Sequence, residues 1–315
     1  WEVPSAPAGW VQGRVEVEIA RAEVGTPAGA AATETIALDG PASTFVPWPA
    51  APLTSRERAT WRVRVAGADG VFSPWSAPAV VETGLLERED WTARPVTAPG
   101  NTRTDAAPVL VRRLSVPAGT AAARLHLTAA GVYEAFIDGA RVGTDELAPG
   151  WTEYRDRLLV QTHDVTAALA SPGPHVLGLR LADGWFAGRI GALGESAQYG
   201  RVLRAWWQLS LTYADGSTAV VGPDATARST EGGPIRYSDI LVGERRDDRL
   251  AAAVAGWDRP GFDDGAWDRV RIVPAARLDP PTRLEPFRGE PARRVRALPV
   301  AQVLTTPAGE TVLDL

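Results

Sequence analysis

The sequence predicts an all-β protein built from consecutive β-sandwich domains. In residues 10–21 and 60–65, apolar and polar side chains alternate as they do in half-buried strands. Short apolar runs recur between turn signals, and the Asp138-Gly139 pair has the two residue types that a type I′ hairpin turn favours. The 315 residues exceed one average domain, so two or three domains are expected.

The N-terminal part, 1–85, is predicted to be one sandwich domain. Its first strand has Val15, Val17 and Ile19 on one face. The expected strands are 10–21, 35–38, 43–47 and the two halves of a hairpin, 60–65 and 71–75, which turns at Asp69-Gly70. The segment TWRVRVAGADGVFSPWSAPAVVETG resembles the last hairpin of a fibronectin type III domain. Such a module acts mostly as a spacer or packing partner.

The central part, 86–273, is predicted to form a second sandwich. Asp164 is expected to cap a short helical turn, and Asp183-Gly184 supplies a turn before Trp185. Adjacent residues on a strand point to opposite faces, so at least one of Trp206 and Trp207 lies in the core or under a neighbouring domain. The expected strands are 108–113, 123–127, 132–137, 140–143, 154–161, 176–181, 205–213 and 218–221.

Several motifs of this part belong together. YEAFIDGARVG, LAPGWTEYRDRLLVQTHDVT, LADGWFAGRIG and LTYADGS occur between residues 133 and 217. VGERRDDR and GFDDGAW follow at 242–249 and 261–267. Together they resemble the non-catalytic β-sandwich in the N-terminal half of bacterial α-L-rhamnosidases of glycoside hydrolase family 78. Arg246 and Gly265 replace a Tyr and a Ser of the family pattern.

The resemblance implies a domain order. Residues 1–85 would be a fibronectin type III-like domain, and 86–273 a galactose-binding-like (jelly-roll) sandwich with a lead-in at 91–104. Residues 274–315 would be a linker, rich in Pro and Arg, and the start of a further β domain. In the family a catalytic (α/α)6 barrel lies downstream of such a region.

Composition excludes several classes of function. A net charge of -5 and a pI near 5.4 argue against a nucleic-acid surface, and no polybasic run suggests membrane binding. Without Cys, neither disulfides nor thiolate metal sites are available. With no signal peptide visible, both a bacterial cytoplasmic and a secreted location stay open. The missing initial Met and a final strand-like run, 310–315, favour a piece of a longer protein.

No catalytic residues are expected within the chain. The neighbouring carboxylates Asp247-Asp248 and Asp263-Asp264 point apart on a strand, whereas inverting glycosidases hold their acid and base roughly 6.5–9.5 Å apart. His126, His163 and His175 lack zinc-site spacing. The resemblance places the catalytic Glu residues on the downstream barrel. This chain alone is therefore predicted to be inactive, while the complete enzyme would hydrolyse terminal α-L-rhamnosyl residues with inversion.

Two loops, 150–156 and 183–189, favour sugar binding. Aromatic rings cover the apolar face of a pyranose, and charged groups bind its hydroxyls. The candidate sugar-binding residues are Trp151, Tyr154, Arg155, Asp156, Asp183, Trp185 and Arg189. Some members of the resembling family carry a calcium-assisted rhamnose site in this sandwich, so calcium is a candidate cofactor. Because Arg155 beside Asp156 would repel a cation, a metal-free site is expected. The implied partners are a rhamnose-containing glycan and the downstream catalytic domain.

Other roles also fit the sequence. A purely structural scaffold would expose an apolar patch where partner domains are missing, and a tandem sandwich could instead bind proteins. In these alternatives Trp151 is a core or interdomain plug, and Trp185 with Phe186 is structural. Asp156 and Arg157 would form an ordinary surface pair, 244–249 an ion-pair cluster, and Asp263-Asp264 the cap of a turn that buries Trp267.

Overall fold

The structure is a computed structural model that describes residues 1–26, 31–100, 107–191, 194–274 and 283–315. The end of the expected lead-in, 101–104, and the linker residues 275–282 lie outside these described residues. Nearly all regular elements are strands, which confirms the predicted fold class. Within the described ranges, no helix has the length and apolar character needed to cross a membrane.

Four antiparallel strands form the N-terminal sheet. They are β1 (Arg14–Glu23), β2 (Ala32–Asp39), β3 (Glu57–Ala66) and β4 (Ala79–Glu82), in the order β2-β1-β3-β4. The alternation noted in the sequence places Val15, Val17 and Ile19 of β1 in the core, because successive side chains on a strand point to opposite sides.

Two predicted strands of this part are wrong. Residues 43–47 are irregular, since Phe45 has a φ of 53°, outside the extended region. Residues 71–75 do not form a continuous strand, although Phe72 makes one isolated bridge with Ala66 and the backbone N–H of Ser73 donates to the carbonyl of Val65. The hydroxyl of Ser73 also accepts a hydrogen bond from the backbone N–H of Val65, and β4 becomes the paired neighbour of β3.

Two facing sheets make up the central sandwich. Its elements are β5 (Val96–Thr97), β6 (Val109–Val116), β7 (Thr120–Ala130), β8 (Val132–Ile137), β9 (Ala140–Arg141), β10 (Arg157–Asp164), β11 (Gly173–Ala182), α1 (Gly184–Ala187), β12 (Arg189–Ile190), β13 (Glu195–Ser196), β14 (Arg204–Tyr213), β15 (Thr218–Val221), β16 (Arg228–Thr230), β17 (Ile235–Asp239), β18 (Gly243–Arg246), β19 (Asp268–Arg269), β20 (Arg271–Ile272) and β21 (Arg283–Pro286). Short 3-10 turns span Arg88–Asp90 and Asp248–Val254.

Strand order places the long strands at the centre of each sheet. One sheet has the order β20-β5-β14-β7-β10-β21, with β15 beside β14, and the other has the order β19-β16-β6-β11-β8-β9. Strands β12 and β13 form a separate pair, as do β17 and β18. The predicted strand at 154–161 begins three residues later, at Arg157, because the chain still turns through 154–156.

The core of the sandwich lies between the two sheets. Leu127 of β7, Leu179 of β11 and Trp207 of β14 are all at most 2% exposed. Full burial of such a side chain contributes about 1.5–3 kcal/mol. Trp206 is buried on the opposite face, edge-on to Trp91 of the lead-in. The prediction for the Trp pair is therefore confirmed, and both indoles are covered.

The hairpin turn at Asp138-Gly139 has the predicted geometry. The φ angles are 49° at Asp138 and 86° at Gly139, as a type I′ turn requires. The carboxylate of Asp138 accepts hydrogen bonds from the backbone N–H of Val176, at 2.8 Å, and from the ring of His175. The turn is thereby fixed to the start of β11.

Polar side chains join the N-terminal sheet to the sandwich. Gln208 of β14 accepts hydrogen bonds from the backbone N–H groups of Thr92 and Ala93, and it donates one to the carbonyl of Asp90. Arg124 of β7 forms an ion pair with Glu82 at the end of β4. These contacts fix the lead-in between the two parts.

The last described segments differ in how they pack. Strand β21 pairs in parallel with β10, so the sandwich includes a strand from beyond residue 273. Strands β22 (Gln302–Thr305) and β23 (Thr311–Asp314) pair with each other in a two-stranded sheet. Their apolar side chains are exposed: Val303, Leu304, Val312 and Leu313.

Candidate functional site

Two parallel indoles stack at one rim of the sandwich. The ring centroids of Trp151 and Trp185 lie 6.3 Å apart, and their planes are parallel within 3°. Trp151 is 56% exposed, whereas Trp185, in the single turn of α1, is half-buried. We call this pair the tryptophan platform. In the structure Trp151 is therefore not a buried plug.

The platform rests on a layer of buried aromatic rings. Tyr154 donates its hydroxyl hydrogen to the carbonyl of Gly150, at 3.0 Å, and its ring contacts Phe186 and Tyr199. Burial raises the pKa of Tyr154. The indole N–H of Trp151 points to the Tyr199 hydroxyl at 3.4 Å. Tyr154 thus positions the platform from below, while Trp151 presents its ring to solvent.

Arg155 places a cation beside the platform. Its guanidinium lies 5.2 Å from the centre of the Tyr199 ring and donates a hydrogen bond of 2.9 Å to the carbonyl of Gln198. Glu153 lies 3.5 Å from the same group. Because an Arg has five N–H donors, hydrogen-bonding capacity remains for a ligand at the rim.

Asp156 faces a different element from the platform. Its carboxylate forms an ion pair of 2.5 Å with Arg283 of β21, and its carbonyl accepts the backbone N–H of the same residue. A calcium site needs six to eight oxygen ligands. With Asp156 paired to one arginine and next to another, these residues do not fit the calcium site that the resemblance suggested.

Asp183 and Arg189 flank α1 and shape its ends. The carbonyl of Asp183 accepts the N–H of Ala187. Gly184 has a φ of 53°, and a side chain there would meet Val132 at 2.5 Å, so the turn that presents Trp185 requires glycine. The backbone N–H of Arg189 donates to the buried carboxylate of Asp239, at 2.7 Å. The Arg189 residue itself is exposed.

The structure brings together some of the candidate residues and separates others. Trp151, Trp185 and Arg155 share a rim, joined through Tyr199, whereas Asp156 turns toward β21. The sequence analysis missed Tyr199 and Asp239. Tyr199 follows β13 without a motif of its own. Asp239, which accepts three backbone N–H groups, looks like an ordinary strand residue in the sequence.

The arrangement is suited to binding rather than to hydrolysis. The exposed indole of Trp151, stacked on Trp185, offers an apolar ring, and a neighbouring guanidinium offers donors for hydroxyl groups. The two carboxylates on the same loop, Glu153 and Asp156, each pair with an arginine. Among the described residues, no group of three His, Asp or Glu could hold a metal ion.

Comparison with known proteins identifies the family. Residues 119–296, more than half of the chain, match the family model described as the α-L-rhamnosidase N-terminal domain. The chain belongs to this family. Residues 1–87 match a second model, the Rha78A-like N-terminal immunoglobulin domain. The resemblance to family 78 rhamnosidases seen in the sequence motifs is thereby confirmed.

Named relatives of this α-L-rhamnosidase N-terminal domain are much longer than the chain. An α-L-rhamnosidase of Alteromonas sp. (strain LOR) is 36% identical over 82% of this chain and 28% of that protein. An α-L-rhamnosidase of Streptomyces avermitilis is 44% identical over 61% of this chain and 18% of that protein. The chain thus spans less than a third of these curated relatives.

Solved structures agree on the fold of the α-L-rhamnosidase N-terminal domain. The α-L-rhamnosidase of Aspergillus terreus superposes with a TM-score of 0.84 at 35% identity, over 97% of this chain and 34% of that chain. An S. avermitilis α-L-rhamnosidase, solved with L-rhamnose, superposes with a TM-score of 0.79 at 24% identity, over 98% of this chain and 46% of that chain. The second likeness concerns the fold alone.

Proposed function

We propose that this chain is the accessory, non-catalytic region of an α-L-rhamnosidase and that it captures a terminal rhamnosyl residue on the tryptophan platform. The stacking of Trp151 and Trp185 at an exposed rim is the observation that carries the proposal. The catalytic step, inverting hydrolysis of an α-L-rhamnoside, would belong to another part of a longer protein. The family membership and the relatives' greater length support that division.

The chemistry of rhamnose suits this surface. Rhamnose is a deoxysugar, so a methyl group replaces one hydroxymethyl group and enlarges the apolar face of the ring. The parallel indoles would cover that face, and the Arg155 guanidinium would donate to ring hydroxyls. Tyr154 would act as a positioning residue, since its buried ring contacts Tyr199, whose hydroxyl meets the indole N–H of Trp151.

The domain division is part of the same proposal. Residues 1–85 would act as a spacer domain, 86–273 as the sugar-binding sandwich, and 274–315 as a linker and the start of a further β domain. The exposed apolar faces of β22 and β23 support a packing role, because isolated two-stranded sheets are marginally stable in water. A further domain of the longer protein would cover these faces.

Calorimetric titration of the chain with L-rhamnose tests the proposal. We expect saturable binding with a Kd of about 1–10 mM, loss of the heat in Trp185→Ala, and partial retention in Trp151→Phe, which keeps a ring at the same place. Trp75→Phe is the matched control, since Trp75 lies on the N-terminal domain. Each variant is checked for a native melting transition.

Two results would contradict sugar binding on the platform. If L-rhamnose produces no heat at any concentration, or if folded Trp185→Ala binds as well as the unchanged chain, the platform is not the sugar site. The chain would then serve as a structural part of the rhamnosidase.

A further inference from the structure

A second cleft lies away from the tryptophan platform, where three parts of the chain meet. It encloses about 430 Å³. One wall comes from the end of β4, one from the loop after β9, and one from the segment after β21; the floor is the end of β10. The side chains that matter are Thr144, Asp145, His163, Phe287 and Arg293. We call it the His163 cleft.

Backbone hydrogen bonds fix the walls. The pairing of β21 with β10 ends at Val160, where the N–H of Phe287 donates to the Val160 carbonyl at 2.8 Å. The segment then returns to the loop after β9, because the N–H of Glu146 donates to the carbonyl of Ala292 at 2.8 Å. Beyond Val160, β10 is still paired with β7 on one edge. Its other edge, where β21 was paired, faces the cleft.

His163 is set into this floor by close packing. A side chain at Gly143, whose φ is 72°, would lie 2.6 Å from the His163 ring, so a glycine is required for the backbone to cover the imidazole. Burial lowers the pKa of His163, and the nearby Asp145 charge partly offsets this effect. The ring is therefore neutral near pH 7 and has one donor and one acceptor nitrogen.

Three polar groups of the cleft form no hydrogen bond within the described residues, whereas Gln161 and Thr162 of the same lining bond to Tyr133 and His126. Within the part of the chain that the structure describes, the His163 ring, the Asp145 carboxylate and the Thr144 hydroxyl take part in no hydrogen bond. By contrast, Glu82 at the rim is paired with Arg124. These three groups line the cleft together with Phe287, which is half-buried.

We propose that the His163 cleft binds a neutral pyranose, as a sugar site separate from the platform. Its volume is in the range of small-molecule sites, and the Phe287 ring offers a face for the apolar side of the sugar. Imidazole, carboxylate and hydroxyl groups bind sugar hydroxyls as mixed donors and acceptors. Asp145 and Arg293 carry opposite charges, which favours an uncharged ligand over an anion or a cation.

Imidazole NMR of the 315-residue chain tests the proposal, because the chain contains three His residues. The probes are methyl α-L-rhamnopyranoside and methyl β-D-galactopyranoside. We expect the His163 ring-proton signal to shift saturably with at least one probe, at concentrations of about 10–100 mM. His175, which is buried at the Asp138-Gly139 turn, is the internal reference and should not move; His126 contacts Thr162 of the cleft lining and is not used as a reference. Single His→Gln variants assign the three signals.

Variants separate the two sites. Thr144→Val and Asp145→Asn, both at the cleft surface, should weaken the His163 response about tenfold or more and leave the binding attributed to the platform unchanged. Trp185→Ala should leave the His163 response intact even if the platform proposal fails. A stationary His163 signal with both probes would overturn the second site. So would a His163 response that Trp185→Ala abolishes, or one that Thr144→Val and Asp145→Asn leave unchanged.

Discussion

At the scale of single residues, the fold shifts the pKa values of two histidines in opposite directions. The ring of His175 lies between two acceptors, with Nδ1 2.5 Å from the Asp138 carboxylate and Nε2 2.8 Å from the Ser171 carbonyl. Burial opposes the charged ring, but these two hydrogen bonds outweigh it and raise the pKa of His175. Because both nitrogens face acceptors, the protonated form of the ring is favoured, and His175 links the β8–β9 turn to β11.

His126 behaves in the opposite way. Burial, followed by the nearby charges of Arg56 and Arg124, lowers its pKa to about 4. Its Nδ1 lies 3.0 Å from the Thr162 hydroxyl, and its Nε2 has no hydrogen-bond partner. The folded chain therefore keeps this ring neutral under conditions where the unfolded chain protonates it.

The His126 environment predicts acid sensitivity. As pH falls from the ordinary His pKa toward about 4, the unfolded chain binds a proton that the folded chain does not, so stability decreases by up to about 3 kcal/mol. Urea unfolding at several pH values measures this slope, and His126→Gln should flatten it. If the free energy of unfolding of His126→Gln depends on pH as it does in the unchanged chain, His126 is not the source of the acid sensitivity.

His175 gives a contribution of opposite sign. Because its folded pKa is raised, its stabilisation is complete below the ordinary His pKa and is lost as pH rises through the folded value. His175→Gln should therefore lose stability mainly in mildly acidic solution. This difference separates the two histidines within one set of unfolding curves.

At the scale of elements, β11 shows how a glycine admits an aromatic ring. A side chain at Gly178 would lie 2.5 Å from the ring of Trp257. Trp257 is buried and meets Phe136 of β8 edge-on, with ring centroids 5.6 Å apart. The indole thus covers the outer face of β11, and the strand carries no side chain at the point of contact.

This contact predicts a marked cost for a single methyl group. Gly178→Ala should destabilise the chain by about 1–3 kcal/mol, the usual range for overpacking, because Trp257 must move away from the sheet. Gly233→Ala is the matched control, since no atom lies within 4 Å of the added carbon. Thermal unfolding of both variants decides the matter, and equal melting temperatures would show that Trp257 adjusts freely.

Sequence patterns predicted long strands in both the N-terminal sheet and the central sandwich. Period-two alternation and the Asp-Gly pair located β1, β3, β8 and β14. The expected strands at 43–47 and 71–75 failed because apolar residues there serve other contacts. In the second case, the hydroxyls of Ser73 and Ser76 accept the N–H groups of Val65 and Val63, and the carbonyls of these two valines accept the backbone N–H groups of the same serines, a mixed pairing that strand propensity does not include.

At the scale of the whole molecule, Arg124 joins the N-terminal sheet to the sandwich. Its side chain is buried and pairs with Glu82 of β4 and with Asp164 at the end of β10. It also donates to the Thr166 hydroxyl. Glu82 and Asp164 remain in contact with water, so the loss of Arg124 removes its hydrogen bonds and its packing rather than leaving a fully buried charge.

The two parts should therefore separate when Arg124 is lost. Arg124→Ala is expected to cost about 1–3 kcal/mol, the range for lost hydrogen bonds to charged groups, and to divide the calorimetric transition into two. Arg249→Ala is the control, because Arg249 is exposed and pairs locally with Asp247. A single unshifted transition for Arg124→Ala would show that the two parts are held by other contacts.

The candidate site illustrates the limit of sequence reasoning. Two aromatic loops could be proposed from Trp151 and Trp185, since Pro-Gly and Asp-Gly signals precede the indoles. Tyr199 could not be proposed from the sequence, because its role depends on a contact with Trp151, which is 48 positions away in the chain. Asp156 was assigned to the same loop as Arg155, yet it pairs with Arg283, 127 positions away.

By itself, the sequence determined the all-β class, the hairpin at Asp138-Gly139 and the family, because side-chain period, turn chemistry and motif spacing are local properties of the chain. The tertiary structure alone decided that Trp151 and Trp185 stack, that His163 opens onto a cleft, and that Asp156 faces β21. These contacts join residues distant in sequence. They depend on the strand order and on the packing of the two sheets, which local patterns do not specify.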